Sequence, residues 1–472
     1  MARLLVSAAH KSSGKTTISI GLCAALAARG LRVQPFKKGP DYIDPLWLGR
    51  AAGRSCVNLD FNTMSPREIH DAFYSRIPAA TTDIALVEGN KGLYDGLDLD
   101  GSNSNAALAR QLDTPVLLVI DSRGMTRGVA PLLLGYQAFD PGVRFGGVIL
   151  NRVGGMRHGS KLRAVIEHYT DIPVLGLVSE NPALRIVERH LGLVPSNEHA
   201  AADQQIRSLA ETIAAEVDLE SISRLGAQAP VAASTVSPSP LPAAGPRVRI
   251  AVARDAAFGF YYTTDLEALE RAGAELLFFD TLHDERLPEA DALFIGGGFP
   301  ESQMHALESN VAMRTSIRKA IESGMPAYAE CGGLMYLARG ITWRGRRCAM
   351  AGVLPGEVSM HDRPQGRGLV RLQETGNGPW PLTGATGEPG SFGAHEFHYS
   401  ALEPLAETTV YAYRVLRGHG IDGENDGIVY RNLLASYSHL RDTSQNPWAK
   451  RFVDFARSVA VDARQPVGAA RI

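Results

Sequence analysis

The sequence predicts an α/β fold with two doubly wound domains. Short apolar segments typical of buried parallel strands alternate with helix-like segments along most of the chain. In each half, one strand leads through a tight turn directly into a helix, at Gly14 and again at Cys331. Between the halves, residues 226–246 are dominated by Ala, Pro and Ser, a composition typical of an extended linker. We therefore expect domains at 1–225 and 247–472, joined by that linker.

Composition restricts the class of protein further. A chain of 472 residues is too long for one hydrophobic core. Apolar residues make up 45% and charged residues 21%, as in soluble globular proteins. The net charge of −2 does not favour binding to nucleic acid, and no apolar run reaches membrane-spanning length. The first strand begins too early to leave room for a signal peptide, and the four cysteines show no paired metal spacing, so we expect a cytoplasmic protein.

The first strand, turn and helix carry a phosphate-binding pattern. The turn ends in Gly14-Lys15-Thr16-Thr17. Backbone N–H groups in such a turn face phosphate oxygens, the lysine adds a positive charge, and the first threonine hydroxyl can bind Mg²⁺. Ala9 stands where the usual pattern has its first glycine, so the loop is a variant. We expect these four residues to bind ATP, with Thr16 also a Mg²⁺ ligand.

Acidic residues follow the next strands of the first half. Asp41 and Asp44 lie in the loop after a strand at 31–38, and Glu88 ends an apolar strand. The carboxyl ends of parallel strands meet at one edge of a sheet, which places these acids near the phosphates or a metal. We expect Asp41 and Glu88 to be Mg²⁺ ligands. The alternative of turn residues or solvated loop charges stays open, for Asp95 in particular.

The second half contains a nucleophile elbow. A strand at 325–330 runs into Cys331, which is followed by two glycines and a helix. A helix N-terminus favours a thiolate and provides N–H groups for an oxyanion. A lone cysteine is more often a packing residue, but the flanking glycines and the strand-to-helix position favour a nucleophile here. Three glycines at 296–298 end another strand and allow a ligand to approach the backbone.

A nucleophilic thiolate needs a base nearby. His395, His398 and His439 all lie downstream of Cys331. We prefer His439, which comes just after a predicted strand. His395 and His398 are interpreted as ligand contacts or residues of a polar loop.

Together these motifs resemble one family, the glutamine-dependent cobyrinate a,c-diamide synthases, over nearly the whole chain. The segments that carry the resemblance are 39–45, 87–89, 92–96, 191–195, 329–333 and 395–400. The N-terminal half, a P-loop domain, is similar to dethiobiotin synthetase. The C-terminal half resembles a class I glutamine amidotransferase domain.

The resemblance implies a carbon–nitrogen ligase with two sites. Cys331 would attack the side-chain amide of glutamine and release ammonia. In the other half, ATP would phosphorylate the a and c acetate carboxylates of a tetrapyrrole such as cobyrinate, and ammonia would then displace phosphate. Acids matching Asp44, Glu88 and Asp95 are implicated in activating the carboxylate or holding Mg²⁺, and Asn151 resembles an asparagine that contacts adenine. The implied ligands are therefore ATP, Mg²⁺, glutamine and a tetrapyrrole acid. A homodimer suits this fold, but the sequence does not decide it.

Two features depart from the family pattern. Class I amidotransferases often have a glutamate two residues past the catalytic histidine, where this chain has Arg441, so no third carboxylate is evident and a Cys–His dyad is expected. The phosphate loop also lacks two of its usual glycines. Relatives that amidate sirohaem or nickel-sirohydrochlorin by the same chemistry stay open as alternatives. A second alternative is a non-catalytic nucleotide switch with a degenerate amidotransferase domain, although the presence of Cys331 and His439 disfavours it.

Overall fold

The computed structural model describes residues 1–184, 186, 188–189, 192–199, 201–227, 247–382 and 390–464. The chain divides into two compact units, Met1–Ser237 and Pro238–Ile472. The expected linker at 226–246 lies outside the described residues from position 228 onward, as does Leu191 of the segment 191–195. The domain limits given by the sequence therefore stay a prediction.

The first unit is built on a parallel sheet of seven strands in the order β3-β2-β4-β1-β5-β6-β7. Its strands are β1 (Ala2–Ala8), β2 (Val33–Lys38), β3 (Val57–Leu59), β4 (Ile84–Glu88), β5 (Val116–Asp121), β6 (Phe145–Val153) and β7 (Val174–Ser179). A further short pair consists of β8 (Glu188–Arg189) and β9 (Gly192–Leu193). The central strands are buried along their whole length, which explains their continuous apolar runs.

Helices cover both faces of this sheet. They are α1 (Lys15–Ala28), α2 (Ile43–Ala52), α3 (Pro66–Tyr74), α4 (Asn105–Gln111), α5 (Val129–Phe139), α6 (Met156–Tyr169), α7 (Ala202–Glu216) and α8 (Leu219–Arg224). Successive side chains of a strand point to opposite faces, so Leu4 and Val6 join the core beneath α1, α2, α7 and α8, and Leu5 joins the core beneath α3 to α6. The doubly wound fold expected for this half is confirmed.

Local sequence explains where individual helices begin and end. Ser65 and Glu68 form a reciprocal capping box at the start of α3, and Pro66 occupies the first helical position. α2 ends at Gly53, which adopts the left-handed conformation with φ 65°. Within the described residues, no helix combines the length and the apolar character that crossing a membrane requires.

The second unit is built on a mixed sheet of nine strands in the order β12-β10-β13-β15-β24-β23-β22-β19-β20. The strands of the unit are β10 (Val248–Ala253), β11 (Phe258–Phe260), β12 (Ala274–Phe279), β13 (Ala292–Ile295), β14 (Gly297–Gly298), β15 (Ala327–Glu330), β16 (Gly340–Trp343), β17 (Arg346–Ala349), β18 (Glu357–Met360), β19 (Gly366–Glu374), β20 (Ser391–His398), β21 (Ser400–Glu403), β22 (Val410–Arg417), β23 (Asn425–Tyr430) and β24 (Leu433–Ser436). The first five strands of the sheet order are parallel, and the last four extend it antiparallel. The parallel α/β part matches the expectation, whereas the antiparallel extension was not predicted.

Two cores flank this second sheet as well. The helices are α9 (Thr263–Arg271), α10 (Met304–Ser309), α11 (Val311–Glu322), α12 (Gly332–Leu337) and α13 (Trp448–Arg464). Leu293 and Ile295 of β13 join the core with α10, α11 and α12, whereas Ala292 and Phe294 join the core with α9 and α13. Both faces of the parallel part are thus covered, and the carboxyl ends of its strands stay available for a site.

Candidate active site

The phosphate loop of the first unit is held in a left-handed turn by Asn151. Gly14 has φ 85° and directly precedes α1, and Ser12 has φ 67°. The Asn151 side-chain amide donates a hydrogen bond of 2.9 Å to the Ser13 carbonyl. A Cβ on Gly14 would lie 2.2 Å from the same amide nitrogen, so only glycine fits at this position. Asn151, expected to contact adenine, is therefore also a support of the loop.

A cluster of oxygen ligands lies at the start of α1. The Thr16 hydroxyl donates a hydrogen bond of 2.6 Å to Glu88 Oε1 and lies 3.4 Å from Asp44 Oδ2. The buried Lys37 ammonium donates to the same Glu88 oxygen at 3.1 Å and also to Asp44. The other Glu88 oxygen, Oε2, is buried and has no hydrogen-bond partner among the described residues.

Charges in this cluster balance one another. Burial raises the pKa of Glu88 even though Lys37 opposes the shift. Burial also disfavours the charged form of Asp44, but the Lys37 ammonium holds its pKa below the usual value. Burial would lower the pKa of Lys37, but the carboxylates of Asp44 and Glu88 raise it well above normal. Burial and the Asp44 charge raise the pKa of Asp41 to about 7.

Lys15 lies beside the same cluster of acidic side chains. Its ammonium lies 3.9 Å from Glu88 Oε1, and burial together with the charge of Lys37 lowers its pKa. Asp41 uses Oδ1 to accept the N–H groups of Ile43 and Asp44 at 2.9 and 3.1 Å, so it stabilises the first turn of α2.

A cavity of about 570 Å³, a size typical of small-molecule sites, is lined by most of these residues but not by Glu88 or Lys37. The predicted ligand-binding residues that line it are Gly14, Lys15, Thr16, Thr17, Asp41, Asp44 and Asn151.

Asp95 does not line this cavity and lies beside the start of the phosphate loop. Its Oδ2 accepts the Gly92 N–H at 3.0 Å, and a Cβ on Gly92 would lie 2.9 Å from the Ala9 carbonyl oxygen. Among the described residues, Asp95 makes no hydrogen bond to Thr16 or Glu88.

Cys331 occupies a strained turn between β15 and α12. Its φ of 46° and ψ of −101° are unusual for a residue with a side chain. Its N–H donates a hydrogen bond of 2.7 Å to the Ser436 carbonyl at the end of β24. A Cβ on Gly333 would lie 2.1 Å from the Ile295 carbonyl oxygen, so the glycine lets the turn pack against β13. This is the geometry of a nucleophile elbow.

His439 is brought to Cys331 by the strand that precedes it. Burial disfavours the charged imidazole, but hydrogen bonds to Cys331 and Glu330 raise the pKa of His439 to about 10. A Cβ on Gly297 would lie 2.5 Å from His439 Cε1, so the glycine segment at 296–298 makes room for this ring. The structure thus places the two residues that we expect to act as nucleophile and base in direct contact.

Glu330 is a residue of this site that the sequence analysis missed. Its Oε2 lies 3.3 Å from His439 Nδ1, and its Oε1 accepts the Leu440 N–H at 2.9 Å. The parallel pairing of β15 with β24 places Glu330 opposite Ser436, close to His439. The only sequence feature that could have identified Glu330 is its position as the last residue of the strand before the nucleophile.

Arg441, which replaces the expected glutamate, points into a different environment. It is buried, its guanidinium lies 3.7 Å from Asp265, and it packs 4.2 Å from the centre of the Tyr262 ring. The carboxylate beside His439 therefore comes from the strand before the nucleophile and not from the segment after the base.

The two other candidate histidines take different places. The backbone of His395 pairs with that of His439 through hydrogen bonds of 2.7 and 3.3 Å, and burial and the charge of His439 lower the pKa of His395 to about 3. His398 stacks on the Tyr437 ring at 3.9 Å and uses Nδ1 to contact the Ser400 carbonyl at 2.8 Å. His398 is a core residue, and His395 is a neutral neighbour of His439.

Family models match both units. The CobQ/CobB/MinD/ParA nucleotide binding domain matches residues 5–194, which include the phosphate loop and the oxygen cluster. The CobB/CobQ-like glutamine amidotransferase domain matches residues 249–447, which include Cys331, Glu330 and His439.

Curated relatives match nearly the whole chain. A cobyrinate a,c-diamide synthase of Magnetococcus marinus is 45% identical over 460 residues, covering 96% of this chain and 97% of its own. A protein of the same name from Methanosarcina acetivorans is 40% identical, covering 96% of this chain and 95% of its own. Another, from Syntrophotalea carbinolica, is 39% identical, covering 96% and 98%. The chain therefore belongs to the cobyrinate a,c-diamide synthase family.

Proposed function

We propose that this chain uses ATP and glutamine to convert the a and c acetate carboxylates of cobyrinate into amides. The observation that carries the proposal is that one chain contains both a phosphate-loop cavity and a Cys331–His439 pair. The first can activate a carboxylic acid and the second can release ammonia. The name shared by the curated relatives supplies the acceptor.

The second unit performs the hydrolysis of glutamine. Cys331 passes its thiol proton to His439, and its Sγ attacks the side-chain amide carbon. The C–N bond then breaks to leave a thioester, and the protonated His439 gives its proton to the departing ammonia. His439 then takes a proton from water, which attacks the thioester and releases glutamate. Glu330 holds the imidazole by its Nδ1 through both steps and stabilises its charged form.

The first unit performs the activation of the acid. A carboxylate oxygen attacks the γ-phosphorus of ATP, which gives an acyl phosphate and ADP. Ammonia attacks the acyl carbon and phosphate leaves, so each cycle consumes one ATP and one glutamine per amide. Lys15 and the loop N–H groups counter the charge on the phosphates during transfer, which is the main catalytic requirement of such reactions.

The residues present fit Mg²⁺. Thr16, Asp44 and Glu88 present hard oxygen atoms in one place, and Glu88 Oε2 is buried without a hydrogen-bond partner among the described residues. The Lys37 ammonium contacts Asp44 and Glu88 and offsets part of their negative charge. We infer that Thr16, Glu88 and Asp44 hold the ion, while a direct role of Asp41 stays a prediction. A bound Mg²⁺ would neutralise charge on the phosphates of ATP.

Several expectations from the sequence belong to the same proposal. Roles for Thr17 and Asn151 in nucleotide binding rest on their place in the cavity wall. A catalytic role for Asp95 rests on the family resemblance alone. A cytoplasmic location, the lack of a nucleic acid partner and a homodimer stay predictions.

Mass spectrometry of the products tests the function. The full chain is incubated with ATP, Mg²⁺ and glutamine, in parallel with cobyrinate, sirohaem and nickel-sirohydrochlorin. Each amidation exchanges a hydroxyl for an amino group, so the masses resolve mono- from diamide products. We expect the diamide from cobyrinate together with ADP. Formation of an amide from another acid alone would change the acceptor, and no amide and no ADP with any acid would reject the proposal.

A further inference from the structure

Three side chains of different metal-binding types meet on the second unit, outside the glutaminase site. His305 and Glu308 lie on α10, and Cys348 lies on β17. One donor atom from each lies within 4.8 Å of the other two. His305 Nδ1 is 3.0 Å from Cys348 Sγ. None of the three takes part in the reaction described above.

Secondary structure brings these donors together. His305 and Glu308 are three residues apart on one helix, so both project from the same face. On β17, the side chains of Arg346 and Arg347 are exposed whereas Cys348 points inward, toward α10. Glu308 Oε1 accepts the Ala349 N–H at 2.7 Å, which fixes the carboxylate beside the thiol. A hydrogen bond that orients a ligating carboxylate in this way is a regular feature of metal sites.

We propose that His305, Glu308 and Cys348 bind one Zn²⁺ ion. The donor set is one sulfur, one nitrogen and one oxygen, which suits zinc and not the oxygen-seeking Mg²⁺ of the other unit. A thiolate and a carboxylate supply two negative charges, which balance the charge of the ion. His305 is exposed, so the fourth position of a tetrahedral site opens to solvent and can hold water.

Cysteine binds Zn²⁺ as a thiolate, so the Cys348 thiol releases its proton when the ion binds. The ion would link α10 to β17 and stabilise the folded unit, because a ligand that binds only the folded state raises its stability.

Cobalt titration tests the site, because Co²⁺ in place of Zn²⁺ gives a thiolate-to-metal absorption band. The full-length chain carries four cysteines, of which Cys23 and Cys56 are buried in the first unit with raised pKa. Cys331 with His439 is a rival site, so the titration uses a Cys331→Ser background. With excess Mg²⁺ present to fill the oxygen site of the first unit, we expect a thiolate band in that background that saturates at one equivalent of bound Co²⁺ and is lost when Zn²⁺ displaces the cobalt.

Two variants in that background locate the ligands. Cys348→Ser should abolish the thiolate band. His305→Ala, at an exposed position that leaves the core intact, should weaken binding about tenfold or more. His283→Ala, another exposed histidine of the same unit, is the matched control and should bind as the background does. No band in the Cys331→Ser background, a band that survives Cys348→Ser, or equal binding by His305→Ala and His283→Ala would each overturn the proposal.

Discussion

Replacing Glu330 by Gln tests whether the carboxylate beside His439 orients the imidazole and stabilises its charged form. In class I amidotransferases a glutamate two residues after the catalytic histidine often occupies this role. Gln keeps the size of the side chain and an oxygen that can accept the Leu440 N–H, now 2.9 Å from Glu330. It removes the negative charge that lies 3.3 Å from His439 Nδ1. The change therefore isolates the charge from the packing.

The expected loss follows from the energy of that contact. A hydrogen bond to a charged group contributes about 1.5–3 kcal/mol, and each 1.36 kcal/mol on a barrier is tenfold in rate, so glutamine-dependent amidation should fall about 10- to 150-fold. The pH dependence should move as well. Glu330 helps to raise the pKa of His439 to about 10, so without it the protonated imidazole is lost at a lower pH. The alkaline limb of the glutamine-dependent rate should therefore shift to lower pH.

The assay compares amide formation with glutamine and with ammonium chloride, each across a range of pH. Only the glutamine-dependent rate should fall in Glu330→Gln, because ammonium bypasses the second unit. Glu407→Gln, at an exposed position, is the matched control and should behave as the parent chain. An equal loss with both nitrogen donors would indicate misfolding, and an unchanged glutamine rate with an unchanged pH profile would refute the reasoning.

Three further predictions concern the two sites. Cys331→Ala should abolish glutamine-dependent turnover and retain the ammonium-dependent rate; loss of both would mean that the residue is structural. Lys15→Ala should remove ATP hydrolysis while glutamine hydrolysis by the second unit persists, and an unchanged ADP release would contradict the phosphate-loop assignment. Lys37→Met leaves buried carboxylates unpaired and should destabilise the first unit by about 3–5 kcal/mol in urea unfolding at pH 7; unaltered stability would show that the Lys37 contacts are not needed there.

The parallel α/β core of each unit could be predicted because its strands are uniformly apolar and its turns carry distinctive residues. Gly14 and Cys331 each stand between an apolar strand and a helix, and such junctions can be identified without tertiary information. The antiparallel strands β19 to β23 could not be predicted in the same way. Burial along β19 and β22 follows neither a continuous run nor a strict alternation, so these strands lack the patterns by which a buried or half-buried strand is identified.

The site contacts that the sequence did not predict are those that depend on which strands pair in the sheet. Glu330 reaches His439 because β15 and β24 are neighbours in the sheet, a relation that no local pattern contains. Lys37 sits among Asp44 and Glu88 because β2 and β4 pair with Lys37 opposite Glu88. A lysine at the end of an apolar strand ordinarily points to solvent, so its burial as a counter-ion requires knowledge of the acids across the sheet.

The pairing of β15 with β24 also determines how this chain tolerates change in length. Cys331 directly follows β15 and His439 lies three residues past the end of β24, so the pairing of the two strands sets the distance between nucleophile and base. The segment between them contains α12 and the strands β16 to β23, and the loops that connect such elements accommodate extra residues at low entropic cost. Insertions there can diversify the surface of the unit while the spacing of the reactive pair is preserved.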